Sequence, residues 1–73
     1  MKLKPHFEKI DNNIWAARDA AFFGWAMRIV RAKGKFHIDT YSGGLIGNWK
    51  TVARGFKTYG KAVSRAEAIG IPV

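Results

Sequence analysis

Two runs of alternating side chains, on either side of Lys33-Gly34, constrain this chain more than any other feature. Large apolar residues occupy every second position over 23–29, and the alternation resumes over 36–40. Alternation of this kind is typical of strands with one buried face. Glycine supplies the positive φ that a two-residue turn needs. The pattern therefore predicts a β-hairpin formed by residues 23–32 and 35–41.

A two-residue turn also sets which residues face each other across the hairpin. Ile29 then lies opposite Ile38 on the apolar side of the hairpin. Arg28 lies opposite Asp39 on the other side, where a basic–acidic pair is favourable. Both pairs fit cross-strand packing, and this agreement supports the predicted register.

A third strand is expected after the hairpin. Residues 42–48 contain three glycines and predict a loop. The residues that follow alternate, which predicts a strand near 49–54 with Trp49, Thr51 and Ala53 on one face. We expect Gly55 to end this strand or to form a bulge in it.

A helix is predicted over residues 58–69. Thr58 is a suitable N-cap, and Gly70 followed by Pro72 is a typical stop signal. We therefore expect an α+β fold, with a small three-stranded antiparallel sheet packed against a C-terminal helix. The helix residues at core-facing spacing are Tyr59, Ala62, Val63, Ala66 and Ile69.

The N-terminal quarter gives weaker signals. Residues 1–13 are polar and basic, and we interpret them as an arm preceding a single compact domain of residues 14–73. Residues 14–22 contain four alanines, and Asn13 could cap a helix there, so a second short helix is favoured. A short strand after an Asn-Asn turn is the alternative reading of the same residues.

The composition excludes several classes of protein. A chain of 73 residues forms one domain at most. It has no cysteine, which excludes disulfides, thiol catalysis and cysteine-ligated zinc. Its apolar runs are far shorter than the roughly 20 residues that span a bilayer, and no secretory leader opens it. We therefore expect a cytoplasmic protein without membrane contact.

Charge gives the strongest functional signal. The chain has 13 basic and 5 acidic residues, a net charge of +8, and no acid between Asp39 and Glu67. The electrostatic field of such a chain attracts anionic partners. The alternative is that the lysines only keep the protein soluble and that the aromatic residues only fill the core. The residues expected to contact a partner are Arg28, Arg31, Lys33, Lys35, Tyr41, Trp49, Lys50, Arg54, Lys57, Lys61 and Arg65.

Catalytic chemistry has little support in the sequence. His6 and His37 fall in different elements, and the carboxylates are too scattered for general acid–base catalysis. The glycine segment 42–47 lacks the Gly-Lys-Ser/Thr of a phosphate loop and does not open a helix. We predict a protein that is not an enzyme and that has no metal and no cofactor.

The segment Arg54-Gly55-Phe56-Lys57-Thr58, followed by a helix with Ala62 and Ala66, resembles the end of the arm-binding domains of tyrosine recombinases. Those domains lay a three-stranded sheet in the DNA major groove. The resemblance covers residues 49–69 and not the aromatic N-terminal part. It implies a binding surface on the sheet face, made of Arg28, Lys35, His37, Lys50 and Arg54.

In size, charge and layout the chain also resembles small regulators encoded by bacteriophages. Several of these bind host RNA polymerase and alter initiation or termination. The resemblance implies a monomeric, non-catalytic regulator that acts in the host cytoplasm on an acidic surface of the polymerase. The second hypothesis is a module that binds DNA or RNA directly, through the sheet face and the basic helix.

Overall fold

A five-stranded antiparallel sheet is the main element of the computed structural model, which describes residues 2–18, 24–42 and 47–72. Its strands lie in chain order, and a helix covers one face of the sheet. A separate two-stranded ribbon joins the first and last strands. The elements are β1 (Lys2–Leu3), β2 (Glu8–Asp11), β3 (Ile14–Arg18), β4 (Trp25–Ala32), β5 (Lys35–Ser42), β6 (Asn48–Phe56), α1 (Tyr59–Ile69) and β7 (Ile71–Pro72).

The predicted three-stranded sheet is wrong, because β2 and β3 extend it to five strands. The predicted second helix is also wrong over 14–18, where the chain forms β3, and residues 19–22 of that prediction lie outside the described residues. Trp15 pairs with Ile29 and Ala17 pairs with Met27. A short helix gains little without packing, so these contacts outweigh the helix propensity of alanine.

The segment interpreted as a basic arm contributes two strands. β2 forms one edge of the sheet by pairing with β3. β1 pairs with β7, so that Leu3 lies opposite Ile71. An ion pair of 3.5 Å between Lys4 and Glu67 lies close to this ribbon. The first and last described residues are therefore neighbours in space.

The predicted hairpin is confirmed in its register. In the β4–β5 pair Ile29 lies opposite Ile38 and Arg28 lies opposite Asp39. The two turn residues, Lys33 and Gly34, have φ of 53° and 76°. Positive φ at both positions is the type I′ geometry, whose twist matches that of the strands it joins. Phe23, the first residue of the predicted strand, lies outside the described residues.

The core lies between the sheet and α1. Ile29 and Ile38 are fully buried on one sheet face, and Ala62 and Ala66 of the helix pack against them. Thr58 caps the helix as predicted, because its Oγ1 accepts a 3.2 Å hydrogen bond from the N–H of Lys61. The small alanine side chains let the helix approach the sheet closely. The opposite side of the sheet is called the open face below.

Strand β6 is irregular, and this changes which of its residues share a face. Val52 is an extra residue between the pairs Ala53–Ile38 and Thr51–Asp39. The prediction that Trp49, Thr51 and Ala53 share a face is therefore wrong, because Ala53 packs against the core while Thr51 faces Asp39. A second bulge follows at Gly55, where φ is 87°, as expected for a glycine at this position.

Candidate functional site

Most of the predicted contact cations meet at one end of the sheet. Phe36 pairs with Arg31 on one side and with Phe56 on the other, so the β4–β5 turn and the end of β6 lie together. The Tyr59 ring packs 6.1 Å from that of Phe36, which brings the start of α1 to the same place. We call the exposed cations gathered here the basic end: Arg31, Lys33, Lys35, Arg54, Lys57 and Lys61.

The cations of the basic end make no ion pair within the part of the chain that the structure describes. Three carboxylates elsewhere in the described residues have other partners: Glu67 pairs with Lys4, Glu8 with Arg18, and Asp39 with Arg28, while His37 lies 3.5 Å from Asp39. The β2–β3 turn reaches the basic end, since the N–H of Arg31 donates to the Asn13 carbonyl at 2.8 Å. Its acid, Asp11, accepts a hydrogen bond from the N–H of Asn12.

Arg28, also predicted as a contact residue, lies on the open face in a polar cluster. Its Nε donates to Oδ2 of Asp39 at 2.8 Å, and Oγ1 of Thr51 donates to Oδ1 of Asp39 at 2.7 Å. The three residues face each other directly across β4, β5 and β6. The Asp39 side chain is only 4% exposed. Arg28 therefore neutralises a buried charge within the protein itself.

The electrostatics of Asp39 keep this cluster charged. Burial raises the pKa of the carboxyl, and hydrogen bonds from Thr51 and Arg28 lower it. Coulomb interactions with His37 and Arg28 lower it further, so that the net pKa lies below its ordinary value of 3.8. Asp39 is thus ionised at neutral pH, with its two oxygens held by different donors.

Tyr41 and Trp49, the aromatic residues predicted to contact a partner, pack against this cluster. The Arg28 guanidinium lies over the Trp49 ring, 4.4 Å from its centroid. The Tyr41 ring meets Trp49 edge-on at 5.3 Å, and its hydroxyl accepts a hydrogen bond from the N–H of Gly47. Both rings are therefore packed against neighbouring side chains on the open face.

Two predicted contact residues lie away from the basic end and from the polar cluster. Lys50 is exposed and pairs with Thr40, five residues along β5 from Lys35. At roughly 3.3 Å per residue this is about 16 Å of strand. Arg65 is exposed on α1, one helical turn beyond Lys61. Of the sheet-face residues implied by the recombinase resemblance, Lys35 and Arg54 belong to the basic end, whereas Arg28 and His37 border Asp39.

The sequence interpretation missed Thr51 as a partner of Asp39. The register of β4 on β5 follows from a two-residue turn, but that of β5 on β6 depends on a glycine-containing loop and two bulges. The ring contacts of Arg18 with Trp25 and of Lys9 with Trp15 were also missed. The contact between Lys9 and Trp15 follows from their pairing across β2 and β3. That pairing can be predicted only if both segments are recognised as strands.

Comparison with protein-family models, with curated proteins and with solved structures gives no match to this chain. In residues 2–18, 24–42 and 47–72, no helix is long and apolar enough to cross a membrane. Nor does that part of the chain bring three or more histidine or carboxylate side chains together as a metal site. The basic end and the polar cluster on the open face are the features from which a function can be argued.

Proposed function

We propose that this protein is a non-catalytic module that binds nucleic acid directly and that the basic end is its contact surface. The observation that carries this proposal is the grouping of exposed cations from β4, β5, β6 and the start of α1, without ion pairs among the described residues. Lysine and arginine bind phosphate oxygens, and their release of counterions drives such association. A nucleic-acid target is consistent with action in the cytoplasm.

Cations of the basic end lie on or beside regular elements of the fold, which favours a binding role. Lys33 lies in a type I′ turn, and Arg54 lies beside the bulge at Gly55. Lys61 follows the Thr58 cap in the first turn of the helix. Crowding like charges lowers stability unless a partner neutralises them. Their placement on ordered elements supports a surface that is used for binding.

Binding to RNA polymerase is the competing function, proposed from the resemblance to phage regulators. In that case the same cations would steer the protein to an acidic surface, and a few buried anchors would supply affinity. Protein interfaces are usually built around an apolar or aromatic centre. Of the large apolar side chains that are exposed in the described residues, Leu3 and Val52 lie outside the basic end, and Ile10 lies at its edge, just before the β2–β3 turn. One exposed apolar side chain beside six cations favours a phosphate partner.

A matched pair of charge reversals tests the proposal. Lys35→Glu changes the basic end, and Lys50→Glu makes the same change in an exposed strand residue far from it. We expect Lys35→Glu to weaken binding to a 20-base-pair DNA by about tenfold, and Lys50→Glu to weaken it by about twofold or less. Equal losses in the two variants would show that the basic end is not the contact surface.

A second measurement separates direct binding from polymerase binding. The purified protein is titrated with DNA alone and, separately, with RNA polymerase treated with nuclease. Binding to DNA supports the proposal. Binding to the nuclease-treated polymerase, with none to DNA, would replace it by the competing function.

A further inference from the structure

The aromatic residues of the structure bear on the kind of nucleic acid that can bind. Proteins that hold single strands usually stack the unpaired bases on tryptophan, tyrosine or phenylalanine rings, which must therefore have an accessible face. All three tryptophans and both tyrosines of this chain lie among the described residues. The contacts described below are those that these rings make with other residues of 2–18, 24–42 and 47–72.

Every tryptophan ring lies beneath a cation of the protein itself. Lys9 is 5.8 Å from the centroid of Trp15, Arg18 is 4.4 Å from that of Trp25, and Arg28 is 4.4 Å from that of Trp49. A base that stacked on the covered face of one of these rings would first have to displace the cation.

Each of the two arginines also has a carboxylate partner. Arg28 is bound to the buried Asp39 at 2.8 Å, and Arg18 lies 3.7 Å from Glu8. Displacing either arginine would therefore break an ion pair as well as a ring contact. The cost is higher for Arg28, because Asp39 is nearly inaccessible to water.

The remaining ring contacts involve other aromatic residues. Trp15 packs 4.8 Å from Tyr59, and this pair lies on the core side of the basic end with Phe36. Tyr41 packs against the edge of Trp49. The cations of the basic end are thus exposed, whereas the nearest tryptophan and tyrosine rings, those of Trp15 and Tyr59, are partly buried and pack against the core.

We infer that the nucleic acid bound by this protein is double-stranded and that it is held through its backbone phosphates, without stacking of unpaired bases. This inference rests on the function proposed above. A duplex presents about one charge per 1.7 Å of axis, which suits the exposed cations of the basic end. A single strand would lose the base stacking that normally compensates for its lower charge density.

Binding to three probes tests the inference: a 20-base-pair DNA, the single strand of the same length, and an RNA duplex. We expect the DNA duplex to bind at least tenfold more tightly than the single strand. We also expect tryptophan emission to stay unquenched when the single strand is added in excess. Comparable binding of the RNA duplex would indicate recognition by phosphates alone, and weaker binding would identify DNA as the preferred duplex; both results support the inference.

The opposite results are equally clear. A single strand that binds as tightly as the duplex, or that quenches tryptophan emission on binding, would overturn the inference while leaving the proposed function intact. Failure of all three probes to bind would instead overturn the proposed function.

One variant tests whether the cations over the rings exclude bases. Lys9→Ser removes the cation over Trp15, whose ring packs against Phe36 and Tyr59 beside the basic end, while Lys50→Ser removes an exposed cation that has no ring contact among the described residues. We expect Lys9→Ser to raise the affinity for the single strand relative to the duplex by several-fold, and Lys50→Ser to leave this ratio unchanged. An unchanged ratio in Lys9→Ser would contradict the exclusion of bases by the cation over the ring.

Discussion

Arg28 donates a 2.8 Å hydrogen bond from Nε to Oδ2 of Asp39, on the sheet face that the helix does not cover. The carboxylate is almost fully buried there, and Thr51 binds its other oxygen. A buried ionised carboxylate is stable only with such partners. The open face thus has a small polar core of its own. Within it, the role of Arg28 is to stabilise the fold by neutralising Asp39.

Replacing Arg28 by methionine should destabilise the protein by about 2–3 kcal/mol, because Asp39 keeps its burial and loses its counter-charge. Urea unfolding followed by circular dichroism measures the change. The double variant Arg28→Met/Asp39→Leu should recover part of the loss, since it removes both charges. A loss below about 0.5 kcal/mol in the single variant would mean that the ion pair contributes little.

Stability should depend on pH through Asp39. Because the folded state lowers the pKa of this carboxyl from 3.8, the folded protein binds the proton less readily than the unfolded chain does. The stabilisation is therefore complete above the unfolded pKa and is lost as pH falls through the folded pKa. Melting temperatures between pH 7 and pH 2 should show this loss in the wild type. Asp39→Asn should be less stable at neutral pH and should decline less steeply below pH 4.

Two glycines make a matched test of backbone conformation. Gly55 has a φ of 87°, and a Cβ added there would meet no atom within 4 Å, so Gly55→Ala should cost about 1–2 kcal/mol through strain alone. Gly60 lies in the helix, also with open space, so Gly60→Ala should stabilise by about 0.5–1 kcal/mol. Changes of the same sign in the two variants would contradict this assignment of backbone conformations.

Ile29 is fully buried between the sheet and α1. Ile29→Ala should destabilise by about 2–5 kcal/mol, because it removes apolar burial and leaves a cavity. The control is Val52→Ala, at a side chain that is 45% exposed, which should cost less than about 1 kcal/mol. Thermal melts of the two variants decide whether the core lies where the structure places it.

The salt dependence of DNA binding should report the size of the basic end. If each of its six cations contacts one phosphate, the logarithm of the binding constant should fall with the logarithm of salt concentration with a slope of about 5. Lys33→Gln should reduce this slope by about 1, because it removes one such contact. A slope near zero would exclude the phosphate contacts on which the proposed function depends.

Local signals account for the parts of the fold that the sequence predicts well. The hairpin follows from alternation around a two-residue turn, and the helix follows from Thr58, Gly70 and an apolar stripe. For β3 the sequence favours a helix and gives the strand after Asn12-Asn13 only as the alternative, because alanines favour a helix locally and the pairing of Trp15 with Ile29, which stabilises the strand, is not local.

In the candidate site, too, the sequence predicts what depends on local signals and does not predict what depends on contacts between strands. Net charge alone indicates an anionic partner, yet the sequence does not show which cations are available to it. Arg28 and Lys35 look alike as basic residues of the hairpin, and the structure separates them, since only Arg28 faces a buried carboxylate. The bulges in β6 prevent the prediction of which β6 residues face Asp39, because each bulge reverses the alternation that such a prediction uses.

The order of the strands in the sheet has a consequence for how the protein forms. From β2 to β6, each strand pairs with the one that precedes it along the chain. A nascent chain can therefore add strands one at a time, and each new strand needs only a short loop to close. The β1–β7 ribbon is different, because Leu3 has no partner until Ile71 has been synthesised. We expect the ribbon to close last, after the sheet and helix have already assembled.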